Sequence, residues 1–176
     1  MTQAMNLTQP PSPMLVAGLP GVPGFNTFYF LKRRCPVEVY GLKPSHQKGL
    51  MDSNIFTLDA ENAHELEKLC DKLKIKAIID ASGCCALRSC EHNPEMARLV
   101  NINMGVALAK CANRRGARYI RLSSDMVFEG REEGFYRETD AVTPISVYGK
   151  TMAEAEDQIL RENPQTLVLR IPLPMS

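Results

Sequence analysis

Tryptophan is absent from this 176-residue chain and aromatic residues make up only 6% of it, so its core must rest on aliphatic, Met and Cys side chains. There is also no excess of one charge. The 21 Lys and Arg face 20 Asp and Glu, a formal +1, which gives no electrostatic footprint for a nucleic acid or an anionic membrane surface. No apolar run is long enough to cross a bilayer, and no signal-peptide pattern opens the chain. The six cysteines, at 35, 70, 84, 85, 90 and 111, include no CxxC pair and no zinc-site spacing. Thiols without a secretory signal predict a reducing, soluble, cytoplasmic setting. No internal repeat or low-complexity tract interrupts the pattern.

What is present fits one domain large enough to bury a core. Residues 1–12 are polar and carry Pro10 and Pro11, so they read as a poorly ordered leader before a domain spanning 13–176. Met14, Leu15, Val16 and Ala17 form a short apolar run that stops at Gly18, Gly21 and Gly24, and residues 25–34 have helical character. Strand, glycine turn and helix in immediate succession are the context that dinucleotide binding needs. Glycines let the backbone approach a pyrophosphate, and the helix start offers unpaired N–H groups. Gly18, Gly21, Val22 and Gly24 are therefore candidate cofactor contacts. Pro23 is tolerable in a first turn, whereas Pro20 removes a donor.

A second strand is expected at 37–40. The carboxylate that an NAD-selective site would place just past it is missing; Lys43 follows, with His46 and Lys48 nearby. That favours NADP over NAD, with Lys43 at the 2′-phosphate; the alternative is a solvated cationic loop. A third strand at 55–58 runs to Asp59, which also reads as the N-cap of a helix carrying Ala63, Leu66, Leu69, Cys70 and Leu73. The fourth strand, residues 77–80, leads into Ala81, Ser82 and Gly83. Cys84, Cys85 and Cys90 raise a metal or redox reading, but without a second ligand cluster they read as small residues, and no metal site is assigned. Asn93 and Pro94 form an N-cap and first-turn pair for a helix with a stripe of Met96, Val100, Met104, Ala107 and Cys111, ended by Gly116. The two methionines read as core. His46, His64 and His92 fall in polar surroundings and read as solvated surface.

Tyr119, Ile120 and Leu122 mark a further strand, Ser123, Ser124 and Asp125 its outward turn, and Pro144 the start of a helix carrying Tyr148. The last strand is residues 166–171. This alternation predicts an α/β fold: a Rossmann-type, doubly wound parallel sheet of about six strands. The Ser123 and Ser124 hydroxyls at a strand's carboxyl end, facing the helix-borne Tyr148, suit proton transfer to a carbonyl oxygen.

The segments LSSDMVFEG (122–130), FYRE (135–138) and PISVYGK (144–150), with the GxxGxxG spacing of the glycine turn, resemble the extended short-chain dehydrogenase/reductases, and among them the dTDP-4-dehydrorhamnose reductases. The resemblance implies NAD(P)-dependent reduction of a nucleotide-linked keto sugar, with Ser124 orienting the carbonyl and Tyr148 as the acid. It implies adenine contacts at Asp59 and Ala60, and room for the cofactor ribose at Ala81, Ser82 and Gly83. It further implies a homodimer formed through the helix that carries Asn101 and the Tyr helix, and a C-terminal substrate domain missing from this chain. A Lys is expected four residues after the Tyr, where this chain has Met152. An ammonium there would share the Tyr's helix face and favour its ionised form, which Met cannot do, and Lys150 points to the other side. The departure keeps a second reading open: a non-catalytic cofactor-binding module serving a partner enzyme, as in the beta subunit of methionine adenosyltransferase.

Overall fold

The computed structural model describes residues 10–84, 86–131 and 134–172. Six strands form one parallel sheet in the order β3-β2-β1-β4-β5-β6, and the doubly wound α/β architecture expected from the alternation is what forms. The strands are β1 (Met14–Ala17), β2 (Val39–Lys43), β3 (Ile55–Thr57), β4 (Ala77–Asp80), β5 (Arg118–Ser124) and β6 (Leu167–Ile171). β1 lies at the centre, with Met14 opposite Val39 on one side and Ala77 on the other. Covered on both faces, it is buried along its whole length, which is why it reads as an unbroken apolar run.

Alternating side chains on each strand feed two cores. Met14 and Val16 pack with Leu19, Phe28 and Val39 beneath helix α1 (Val22–Arg34). Leu15 and Ala17 pack on the opposite face with Leu66 and Cys70 of α2 (Ala63–Lys72), Leu108 and Cys111 of α5 (Met104–Arg114), and Ile159 of α6 (Val147–Glu162). A third cluster joins Cys90 of α3 (Leu87–His92) and Ala97 of α4 (Pro94–Arg98) to Val127, Tyr148 and Met152. No helix among the described residues is long and apolar enough to cross a membrane.

Four local expectations need correction. β2 continues through Gly41, Leu42 and Lys43, so Lys43 ends the strand instead of following it. Leu19 packs directly onto the strand at Gly41, where a Cβ would lie 2.4 Å from Leu19 Cδ2 and force that side chain to shift. The N-cap of α2 is Asn62, whose side chain accepts from Glu65 N–H, and not Asp59. Helix α6 starts at Val147, capped by the Ser146 hydroxyl, which accepts from Gly149 N–H; Pro144 precedes it in the loop. Finally, the long helix after Asn93 contains a π-helical turn, Leu99–Asn103. That extra residue per turn rotates the buried face onto Ala97, Asn101, Ile102, Gly105, Leu108 and Ala112, leaving Met96, Val100, Met104 and Ala107 half-buried.

Candidate active site

The carboxyl ends of β1, β4 and β5 open into a cleft of about 240 Å³, lined by Gly21, Val22, Ala81, Ser82, Gly83, Ser124, Tyr148 and Met152 among others. Its place, at the point where strand order reverses from β1 to β4, is where open parallel sheets hold ligands.

Three glycines shape the near wall, each for a different reason. Gly18 has a φ of +80°, and a Cβ would lie 2.4 Å from the Ala81 carbonyl group, so the turn presses against the end of β4. A Cβ at Gly24 would lie 2.2 Å from Gly18 O, which seats α1 on the turn. Gly21 differs: a Cβ there meets only Gly18 O at 3.4 Å and Pro23 Cδ at 3.8 Å, and the residue faces the cleft. The protein therefore needs Gly18 and Gly24 for its own packing, while the space in front of Gly21 is open. The first turn of α1 adds amides with no intrahelical partner, although Pro23 contributes none.

On the far wall, Ser124 caps a short 3₁₀ turn (Asp125–Val127), its hydroxyl accepting from Met126 N–H at 3.1 Å and donating to Asp125 at 3.1 Å. Tyr148 is 5% exposed and faces the same cleft. Gly149 sets the approach of the two elements: a Cβ there would lie 2.1 Å from Met126 O, so only glycine lets α6 sit this close to the serine turn. Thr151 and Asn101 continue the wall inward. Asn101 donates to Thr151 Oγ1 at 2.9 Å and accepts from Cys84 N–H at 2.6 Å, fixing the strand-to-helix connection after Gly83. Lys150 is exposed on the opposite side of α6, as helix geometry requires.

Behind the cleft lies an ion pair that sequence reasoning missed. Asp80 and Arg121 are paired residues of neighbouring strands, and both side chains are 0% exposed. Arg121 Nη1 donates to Asp80 Oδ2 at 2.5 Å and to Ser82 Oγ at 3.2 Å; Nη2 reaches Asn101 O at 3.0 Å and Met152 Sδ at 3.7 Å. The Tyr119 hydroxyl also donates to Asp80, at 2.6 Å, and Asp80 Oδ1 accepts from Ser82 N–H. Burial opposes the charge on Arg121, but Asp80 and Tyr119 outweigh it and its pKa is raised. Burial first, then Asp80, pushes the Tyr119 phenol well up. Arg121 Nε is left without a hydrogen-bond partner. A charged residue amid the apolar residues of β5 was the signal for this network. A second group, beside Ser124, joins Ser123 Oγ to Glu156 at 2.5 Å and Glu156 to Arg170 of β6 at 2.7 Å.

Three predicted contacts lie outside the cleft. The Lys43 ammonium donates to Gln47 O at 3.0 Å and Gly49 O at 2.5 Å, closing the loop after β2. Asp59 accepts from Ser45 N–H at 2.9 Å and Ser45 Oγ at 2.6 Å, tying that loop to the end of β3; Ala60 is buried beside it. The three histidines are exposed. Cys85 lies outside the described residues, and Cys90 Sγ donates to Cys84 O at 3.3 Å. Among the described residues no group of three or more His, Cys, Asp or Glu is placed to hold a metal ion.

Residues 33–173 match the family described as the RmlD substrate binding domain. The chain belongs to that family. A dTDP-4-dehydrorhamnose reductase of Salmonella typhimurium is 35% identical over 118 residues, 67% of this chain and 40% of that protein. The methionine adenosyltransferase 2 subunit beta of Bos taurus is 42% identical over 83 residues, 47% of this chain and 25% of that protein. Among solved structures, a dTDP-4-dehydrorhamnose reductase from Clostridium acetobutylicum superposes with a TM-score of 0.74 at 28% identity, covering 89% of this chain and 52% of that one. One from Bacillus anthracis, in complex with NADP, has a TM-score of 0.73 at 21% identity, a likeness of fold, over 89% of this chain and 52% of that one. This family member thus spans two fifths of the Salmonella protein and half of the solved chains, within the extended short-chain dehydrogenase/reductase group.

Proposed function

We propose that this chain binds NADP or NAD, with NADP preferred, and forms the cofactor half of a reductase acting on the carbonyl of a nucleotide-linked keto sugar. The observation that carries this is the single cleft joining the glycine turn, residues 81–83, Ser124 and Tyr148. The open space at Gly21 fits a diphosphate, held by the amides of the first turn of α1. Ala81, Ser82 and Gly83 leave room for a ribose, and Asp59 and Ala60, just past β3, are assigned to the adenine end. When bound, the reduced nicotinamide supplies the hydride. Tyr148 donates its phenolic proton to the substrate oxygen, and Ser124 holds that oxygen by its hydroxyl. The relatives named above support the substrate class. Exposed Ser45, His46 and Lys48, in the loop that Lys43 closes, support the NADP preference. We place the protein in the cytoplasm and as a homodimer.

Oxidation of NADPH in the presence of a dTDP-4-keto sugar tests this reading: turnover that falls at least a hundredfold in Tyr148→Phe supports it, and equal rates in the two proteins sink it.

A second reading is favoured by Met152 and by the 42% identity to a methionine adenosyltransferase subunit: a dinucleotide-binding module that serves a partner enzyme. NADPH binding with no turnover, together with a changed rate of a methionine adenosyltransferase catalytic subunit on mixing, is the result that selects it.

A further inference from the structure

On the face of the sheet covered by α2 and α5, away from the cleft, two cysteines meet. Cys70 of α2 and Cys111 of α5 are 1% and 2% exposed and belong to one core cluster. The two thiols are close enough that each shifts the ionisation of the other. Arg115, one turn further along, donates from Nη1 to Cys111 Sγ at 3.0 Å, and its other nitrogen is held by Asp71 and by Glu67 O. The guanidinium is thus fixed against the sulfur, not swinging in solvent. Cys111 also lines an open cleft of about 300 Å³ between α2 and α5, together with Glu67, Lys110 and Arg114. Cys111 is the cysteine that borders this opening, and Cys70 does not line it.

We propose that Cys111 and Cys70 form a peroxide-reactive thiol pair that closes reversibly into a disulfide between α2 and α5. Arg115 donates to the Cys111 sulfur, and of the two cysteines Cys111 borders the open cleft, so the thiols are unequal, with Cys111 the attacking one. Its thiolate sulfur attacks one oxygen of hydrogen peroxide, the O–O bond breaks, and the departing hydroxide takes up a proton as water, leaving a sulfenic acid. Cys70 sulfur then attacks Cys111 sulfur; the S–O bond breaks, and the proton of Cys70 leaves with the hydroxide as a second water. In sum, two thiols and one peroxide give one disulfide and two waters, and an added dithiol reverses the change.

The test exposes the folded protein to hydrogen peroxide, alkylates the remaining thiols, and maps the digest by mass spectrometry. The expected result is a peptide pair linked through Cys70 and Cys111, formed before the half-buried Cys35 and Cys84 react, and lost on treatment with dithiothreitol. Cys70→Ala should leave a sulfenic acid on Cys111 that dimedone traps. Arg115→Met should slow the reaction roughly tenfold, the change in thiolate fraction for one pKa unit. Oxidation of Cys35 or Cys84 while Cys70 and Cys111 remain alkylatable would overturn the proposal, as would an unchanged rate in Arg115→Met. The first of these is read on the unmodified protein, so it stands even where a variant does not fold.

Discussion

Arg121 Nη2 sits 3.7 Å from Met152 Sδ, so a cation anchored on β5 already lies behind the position where the family resemblance expects a Lys ammonium. Met152 is buried against it, one helical turn from Tyr148. Restoring a Lys at 152 would therefore place two positive charges together in a site away from water. Met152→Lys alone is expected to destabilise the fold by about 3 kcal/mol, the scale of an uncompensated buried charge. Adding Arg121→Met should recover part of this, with a coupling of about 1–3 kcal/mol in the double-mutant cycle. Urea unfolding of the four proteins measures it; additive effects would mean that the two positions do not share a field.

Gly149→Ala tests how the serine turn and the Tyr helix are brought together. A methyl group 2.1 Å from Met126 O must push α6 away from the turn. The expected cost is about 1–3 kcal/mol, with loss of any turnover, since the phenol moves away from Ser124. Gly130→Ala is the control: no atom lies within 4 Å of the new methyl group, although the backbone there has a φ of +86°. It should carry the backbone strain alone and leave turnover intact.

Lys43 closes the loop after β2 through two carbonyl oxygens, and the two roles open to it predict different losses. If its work is to hold the loop, Lys43→Met weakens NADPH and NADH binding by the same factor. A direct contact to a 2′-phosphate would weaken NADPH alone. We expect the equal loss, with NADPH still preferred; a calorimetric titration with each cofactor separates the two.

The Asp59 carboxylate is held below the usual carboxylate range, first by the Ser45 hydroxyl, then by Ser45 N–H, with a smaller effect of His46. A group whose folded pKa is depressed stabilises the fold above its unfolded pKa, about 3.9, and that stabilisation is lost as pH falls through the folded value. The loop at 44–49 should therefore hold at neutral pH and loosen in acid. Asp59→Asn should lower the urea midpoint at neutral pH and flatten its decline between about pH 5 and pH 2. An unchanged acid limb would remove Asp59 as a tie.

Much of this architecture is legible in the order of residues because its signals are local. Residues 14–17 and 77–79 are apolar runs, as strands covered on both faces must be, and the glycine turn follows the first of them directly. The serine turn at 123–125 and Tyr148 could be placed because each sits at the end or start of an element that its neighbours announce, and the family resemblance picked Ser124 from that turn. What escaped was non-local. Asp80 and Arg121 pair only because β4 lies beside β5, which depends on strand order. The acceptors of Lys43 depend on how the loop folds back, and the rotated face of the long helix depends on a π turn that leaves no mark in hydrophobic period. The N-caps at Asn62 and Ser146 were local, but each lay a few residues past a stronger-looking candidate, Asp59 and Pro144.

The most direct test of the central claim is a calorimetric titration of NADPH into the wild-type protein and into Gly21→Leu. The backbone at Gly21 has a φ of −84° and its Cβ position is uncrowded, so a leucine should leave the thermal midpoint unchanged while filling the space in front of the turn. The account predicts one NADPH bound per wild-type chain and none by the variant. Equal binding by a folded Gly21→Leu, or no dinucleotide bound by the wild type, would contradict it.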